Sequence, residues 1–178
     1  LHLKDTVRAY DNFNTAIRTN RENPNGYNRR GGLYMEQKRY PEAEADFNKA
    51  IECDSTYLLS YFNRALVYSN TNRPMLALSD FDKVIQLDST NSLTYFNRAM
   101  LRTQIGDYNR ALEDYDKVAL YSPNNVLVYY NRAGVYASWA RSKKPQRTIP
   151  RPSSSIPLRQ RLYLPRPLRE LLRDPQAP

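Results

Sequence analysis

Asn63, Asn97 and Asn131 recur at a single interval of 34 residues, each between an aromatic (Phe62, Phe96 or Tyr130) and an arginine (Arg64, Arg98 or Arg132). A carboxamide carries an acceptor oxygen and two donor hydrogens, so it can pair with a peptide backbone of any sequence. The arginines suggest a different chemistry. Asp46, Asp80 and Asp114 recur at the same interval. A guanidinium can lay its stem on apolar surface and present a two-pronged donor to a carboxylate. Two opposite-charge ladders in register predict structural Arg–Asp pairs between helices, and leave open whether each Asp lies in the same unit or the preceding one. Such a pair adds little net stability, but removing one member strands a charge.

Covalent chemistry finds no comparable set. His2 is the sole histidine and Cys53 the sole cysteine. The sequence offers no His/Cys cluster at metal-ligand spacing, no Gly-rich phosphate loop and no Ser/His/Asp set. The reading is therefore of a protein that is not an enzyme and needs no cofactor or metal.

The elements that position these residues follow from periodicity. Ala43, Ala77 and Ala111 repeat at 34 residues, as do Phe47, Phe81 and Tyr115, and Ala9, Phe13 and Ala16 extend the pattern towards the N-terminus. A fixed period over many positions is the signature of a repeat array. Within a unit the spacing is helical. With Tyr61 at zero, Ala65 falls near ~40° and Tyr68 near ~−20°, one packing stripe with Arg64 at its edge. Breaks at "NTNRP", "QIGDY" and "YSPNN" separate the helices. Each unit is two helices of about 12–14 residues joined by a tight turn. The array reads as residues 1–140, divided into a half unit 1–23, units 24–57, 58–91 and 92–125, and a half unit 126–140.

This pattern resembles the tetratricopeptide repeat family, on the Tyr61/Ala65/Tyr68 and Ala77/Phe81/Val84 triplets and their copies, and on Pro123 at the family's inter-repeat proline. The 35-residue period of the pentatricopeptide RNA readers fits less well. The resemblance implies an all-α, right-handed superhelical solenoid of antiparallel helix hairpins, with Cys53 in a slot for a buried aliphatic residue. Arg64, Arg98 and Arg132 depart from the family's usual Leu, and Ser55 and Ser89 from its proline.

In this family the first helix of each unit lines the concave side. The resemblance therefore implies that Leu59, Phe62, Asn63 and Leu66 line a groove. So do Leu93, Phe96, Asn97 and Met100 in the next unit, and Leu127, Tyr130 and Asn131 in the last. Such a groove is apolar and amide-lined, and suits an extended peptide or protein segment. It does not suit the family's clamp for a chaperone's C-terminal carboxylate. The positions expected to carry cations hold Asn28, Gly32, Leu93 and Asn97, or one unit on Phe62, Leu66, Leu127 and Asn131.

Charge is uneven. Residues 1–140 hold 17 Lys+Arg and 16 Asp+Glu, and residues 141–178 hold 10 and 2. The net +9 therefore belongs mainly to the tail, which also holds 8 of the 12 prolines. Pro145 stands where a second helix would need alanine, and breaks it. Residues 141–178 read as a mostly disordered tail, with "RPLRELLRD" as a short amphipathic helix. Three readings stay open for it: a solvated tail, the product of a shifted reading frame, or a basic arm for nucleic acid or an anionic surface. The arm is the alternative functional reading. The helix over 127–140 then lacks its cover, which predicts exposed Val128, Tyr136 and Trp139, and either self-association through this end or capping by residues 168–172. No apolar run is long enough to span a membrane. A lone cysteine fits a reducing, cytoplasmic setting. No secretory leader is visible, though a removed one stays open for a chain that opens on Leu1.

Overall fold

A computed structural model describes residues 2–143 and, among them, eight α-helices and no strand. The helices are α1 His2–Thr19, α2 Pro24–Glu36, α3 Tyr40–Cys53, α4 Leu58–Asn70, α5 Pro74–Leu87, α6 Ser92–Gln104, α7 Tyr108–Tyr121 and α8 Val126–Lys143. Residues 144–178 of the tail expected to be disordered, including its amphipathic segment, lie outside the described residues, whereas 141–143 are helical. The helix expected over 127–140 runs on to Lys143. Helices α2 and α3, α4 and α5, and α6 and α7 pack as hairpins, and each hairpin packs on the next. The fold is a solenoid of stacked helix pairs, as the periodicity predicts.

Each intra-unit turn is built the same way. Lys38, Asn72 and Gly106 adopt φ of 60°, 56° and 83°. The next backbone N–H closes back to a carbonyl in the last helical turn, as Arg39 N to Tyr34 O (2.8 Å), Arg73 N to Tyr68 O (2.9 Å) and Asp107 N to Arg102 O (2.8 Å). This left-handed cap satisfies carbonyls that the helix end leaves open. The inter-unit turns at Ser55 and Ser89 manage without proline. The Asp54 carboxylate accepts from the Thr56 N–H and hydroxyl at 2.8 and 2.7 Å, and Asp88 does the same for Thr90 at 3.0 and 2.8 Å. Side-chain bonds of this kind mimic a backbone turn, and these hold both carboxyl groups below the usual aspartate range.

The core is a row of repeated cells. Ala43, Phe47 and Ala50 of α3 are fully buried, as are Ala77 and Val84 of α5 and Ala111 of α7. Each second-helix aromatic also meets a residue of the following unit. Val67 joins the cluster of Ala43 and Phe47, Leu101 that of Ala77 and Phe81, and Val135 that of Ala111 and Tyr115. Val67, Leu101 and Val135 are 34 residues apart and make a second buried stripe, the one that stacks unit on unit. This stripe lies outside the hairpin packing set that the sequence reading isolates. Cys53 is half-buried rather than buried, and its thiol donates to the Arg21 carbonyl oxygen at 3.4 Å. Exposure at α8 also differs from expectation. Tyr136 is 51% exposed, but Val128 is fully buried against α7 and Trp139 stacks on Tyr108 with centroids 6.5 Å apart.

Candidate functional site: the first-helix face

The arginines form a continuous lattice. Arg64 donates through Nε and Nη2 to the two carboxylate oxygens of Asp80 at 2.8 and 2.7 Å, and through Nη1 to Asn48 Oδ1 at 2.7 Å. Arg98 does the same with Asp114 (3.0 and 2.6 Å), and its Nη1 pairs with Asp82. Each arginine thus reaches sixteen residues forward, into the second helix of its own unit, and sixteen back, into that of the preceding unit. Asp46 is paired by Arg30 (2.7 Å), which also donates to Asn14 at 2.7 Å. Arg30 therefore opens the ladder one unit before Arg64. The backward partners Asn14, Asn48, Asp82 and Asp116 form a second row at the 34-residue period. Arg132 reaches only backward among the described residues, to the exposed Asp116 at 3.2 Å. The Arg64 guanidinium lies 5.5 and 5.7 Å from the ring centroids of Tyr61 and Tyr68. These two tyrosines therefore give the cation aromatic faces as well as apolar packing. Asp80 hydrogen bonding raises the guanidinium pKa of Arg64 above its ordinary value.

The amides do not behave alike. Asn63 donates to Asn28 Oδ1 at 3.1 Å, and Ser60 donates to the same oxygen at 3.1 Å, so Asn63 ties two units together. Asn97 and Asn131 each donate to a carbonyl of their own helix, Leu93 O and Leu127 O, at 2.8 Å. That bond leaves the amide oxygen as an acceptor on the surface. The aromatic row divides too. Phe62 is half-buried, its centroid 5.9 Å from Phe81, and Phe96 is half-buried at 5.8 Å from Tyr115, whereas Tyr130 is 80% exposed. Leu66 packs on the core cluster of the second hairpin. Leu59, Leu93 and Leu127 stay exposed at 51%, 59% and 60%, and Met100 at 40%.

Between α6 and α8 the face sinks into a depression of about 250 Å³. Tyr115 and Val135, each 1% exposed, lie at its base. Met100, Thr103, Asn131 and Gly134 line it from the two first helices, with Gln104 and Ser138. None of these residues carries a charge. Burial pushes the Tyr115 hydroxyl up to about 12, with the neighbouring Thr103 hydroxyl acting the other way. Among the described residues no cluster of three metal-ligating side chains occurs, and no helix is long and apolar enough to cross a membrane.

The tetratricopeptide repeat pattern matches residues 24–57, and again residues 47–79 and 81–113. The chain belongs to the tetratricopeptide repeat family. No curated protein sequence matches it, but solved structures do in fold. The first TPR of Spaghetti (RPAP3), bound to the HSP90 peptide SRMEEVD, superposes with a TM-score of 0.63 at 23% identity, covering 66% of this chain and 93% of that one. MamA gives 0.70 at 16% identity, with 78% and 76% covered. YrrB, a TPR protein with an unusual peptide-binding site, gives 0.66 at 20% identity, with 80% and 73% covered. At these identities the likeness is one of fold.

Proposed function

We propose that this tetratricopeptide array is a non-catalytic scaffold that holds an extended peptide or protein segment along its first helices. The observation that carries the reading is the exposed row Leu59, Leu93 and Leu127, beside the Asn97 and Asn131 amides. Exposed aliphatic side chains in register, next to free carboxamide acceptors, match the alternating needs of an extended chain: apolar contact for side chains and hydrogen bonding for backbone N–H groups. Two fold relatives, RPAP3 and YrrB, are peptide binders, which supports the reading. The bound RPAP3 peptide is acidic at its end. In this chain the positions that the family resemblance implies for a carboxylate clamp hold the uncharged Asn28, Gly32, Leu93 and Asn97, and Asn28 is already used by Ser60 and Asn63. The ligand is therefore not an acidic C-terminus of that kind.

The test is an array of uncharged dodecapeptides probed with the full chain and with the Asn97→Ala plus Asn131→Ala variant. Binding that falls at least about tenfold supports the groove, since two lost backbone hydrogen bonds are worth that much. Unchanged binding moves the site elsewhere. The localised basic charge of residues 141–178 favours one alternative, association with nucleic acid or an anionic surface. Its mark is binding that weakens steeply with salt and is lost when the tail is removed.

A further inference from the structure

Gly134 sits in the interior of α8, at the position that Met100 and Leu66 hold one and two units earlier. A glycine in a helix interior costs stability relative to a side chain, so its presence calls for a reason. Close packing does not supply one: a Cβ built on Gly134 meets no atom within 4 Å. The empty space is the depression between α6 and α8. At the α4–α6 junction the same position carries Met100, whose side chain stands in the face. At the α6–α8 junction nothing stands there, and the depression reaches down to the buried Tyr115 and Val135.

We infer that Gly134 creates a specificity pocket for one uncharged apolar side chain, aliphatic or phenyl, of the segment bound along the first helices. This rests on the peptide-scaffold reading above. Size and polarity select the occupant. A volume of about 250 Å³ lies below the usual range of small-molecule sites, roughly 300–1,000 Å³, yet exceeds the ~150 Å³ that holds a benzene. The base is apolar, and a charged head placed on it would find no counter-ion among the lining residues. At the rim, the Asn131 amide oxygen is placed to accept a backbone N–H of the residue whose side chain enters. Thr103 is committed on both sides, its donor to Ala99 O at 2.8 Å and its hydroxyl hydrogen-bonded with Tyr115, so the Asn131 oxygen is the acceptor that serves the incoming residue.

The pocket can be filled without harming the fold, which gives a decisive test. In the full chain, Gly134→Leu adds a helix-favouring side chain in open space, so its melting temperature should rise. Its affinity for the dodecapeptides selected on the parent chain should fall at least about tenfold, the loss expected when one large apolar side chain is shut out. Each selected peptide should also contain one apolar residue whose change to alanine weakens binding to the parent but not to Gly134→Leu. Peptides that bind Gly134→Leu as tightly as the parent, yet are lost with Asn97→Ala plus Asn131→Ala, overturn the pocket and leave the scaffold reading standing. Peptides indifferent to both variants, or no binding peptide at all, overturn both.

Discussion

At the scale of the residue, the recurring arginine joins two second helices, through partners sixteen residues forward and sixteen back. Arg64 replaces the family's usual leucine with a cation held by one carboxylate, one amide and two tyrosine rings. Its side chain is 18% exposed and that of Asp80 is 8%. In that setting, Asp80→Ala strands the cation and should lower stability by about 3 kcal/mol, read from urea unfolding midpoints. Replacing both members, Arg64→Met with Asp80→Leu, should restore most of the loss, because the desolvation cost goes with the charges. Arg132→Ala should cost under about 1 kcal/mol, since its described partner Asp116 is solvent-exposed and such pairs are weak.

At the scale of the element, adjacent glycines in α2 play opposite parts. A Cβ on Gly31 would lie 2.7 Å from Phe47 Cε1, and that ring is fully buried. Gly31→Ala therefore sets an overpacking cost of about 1–3 kcal/mol against a helix-propensity gain of about 1 kcal/mol. The overpacking wins, because the ring is walled in by α4 of the next unit through Val67. Gly32→Ala meets nothing within 4 Å and should stabilise by up to about 1 kcal/mol. Thermal melts followed by circular dichroism separate the two, and a stabilised Gly31→Ala would contradict this packing. The paired glycines were visible in "YNRRGGLY", but their difference was not. It depends on which glycine faces the second helix.

At the scale of the whole molecule, α8, the last of the described helices, carries exposed tyrosines on its hairpin face. Tyr129 is 55% exposed where its counterpart Tyr95 is 7%, and Tyr136 is 51% where Tyr68 is 8%. Solenoid ends need polar covers, and in the inner units Tyr95 and Tyr68 are covered at these positions by the second helix of their own hairpin. We propose that this face associates with a second copy of the chain. Sedimentation velocity of the full chain should show mass rising with concentration, and Tyr129→Glu plus Tyr136→Glu should hold it at the monomer. A parent chain that stays monomeric at high concentration contradicts the proposal.

The sequence by itself determined the period, the helix pairs and the hairpin stripes, because helical periodicity and a fixed repeat length constrain side chains that are near one another along the chain. It also placed Arg64, Arg98 and Asp80 on the edges of those stripes. What it left open lies between units. The choice of the own-unit aspartate as the forward partner, and the backward row Asn14, Asn48, Asp82 and Asp116, depend on how far one hairpin is offset from the next. The same offset buries Val67, Leu101 and Val135, draws Asn63 onto Asn28, and opens a depression at Gly134, the repeat position that Met100 holds one unit earlier. These contacts join residues that no local pattern relates, so only the stacking of the hairpins in three dimensions decided them.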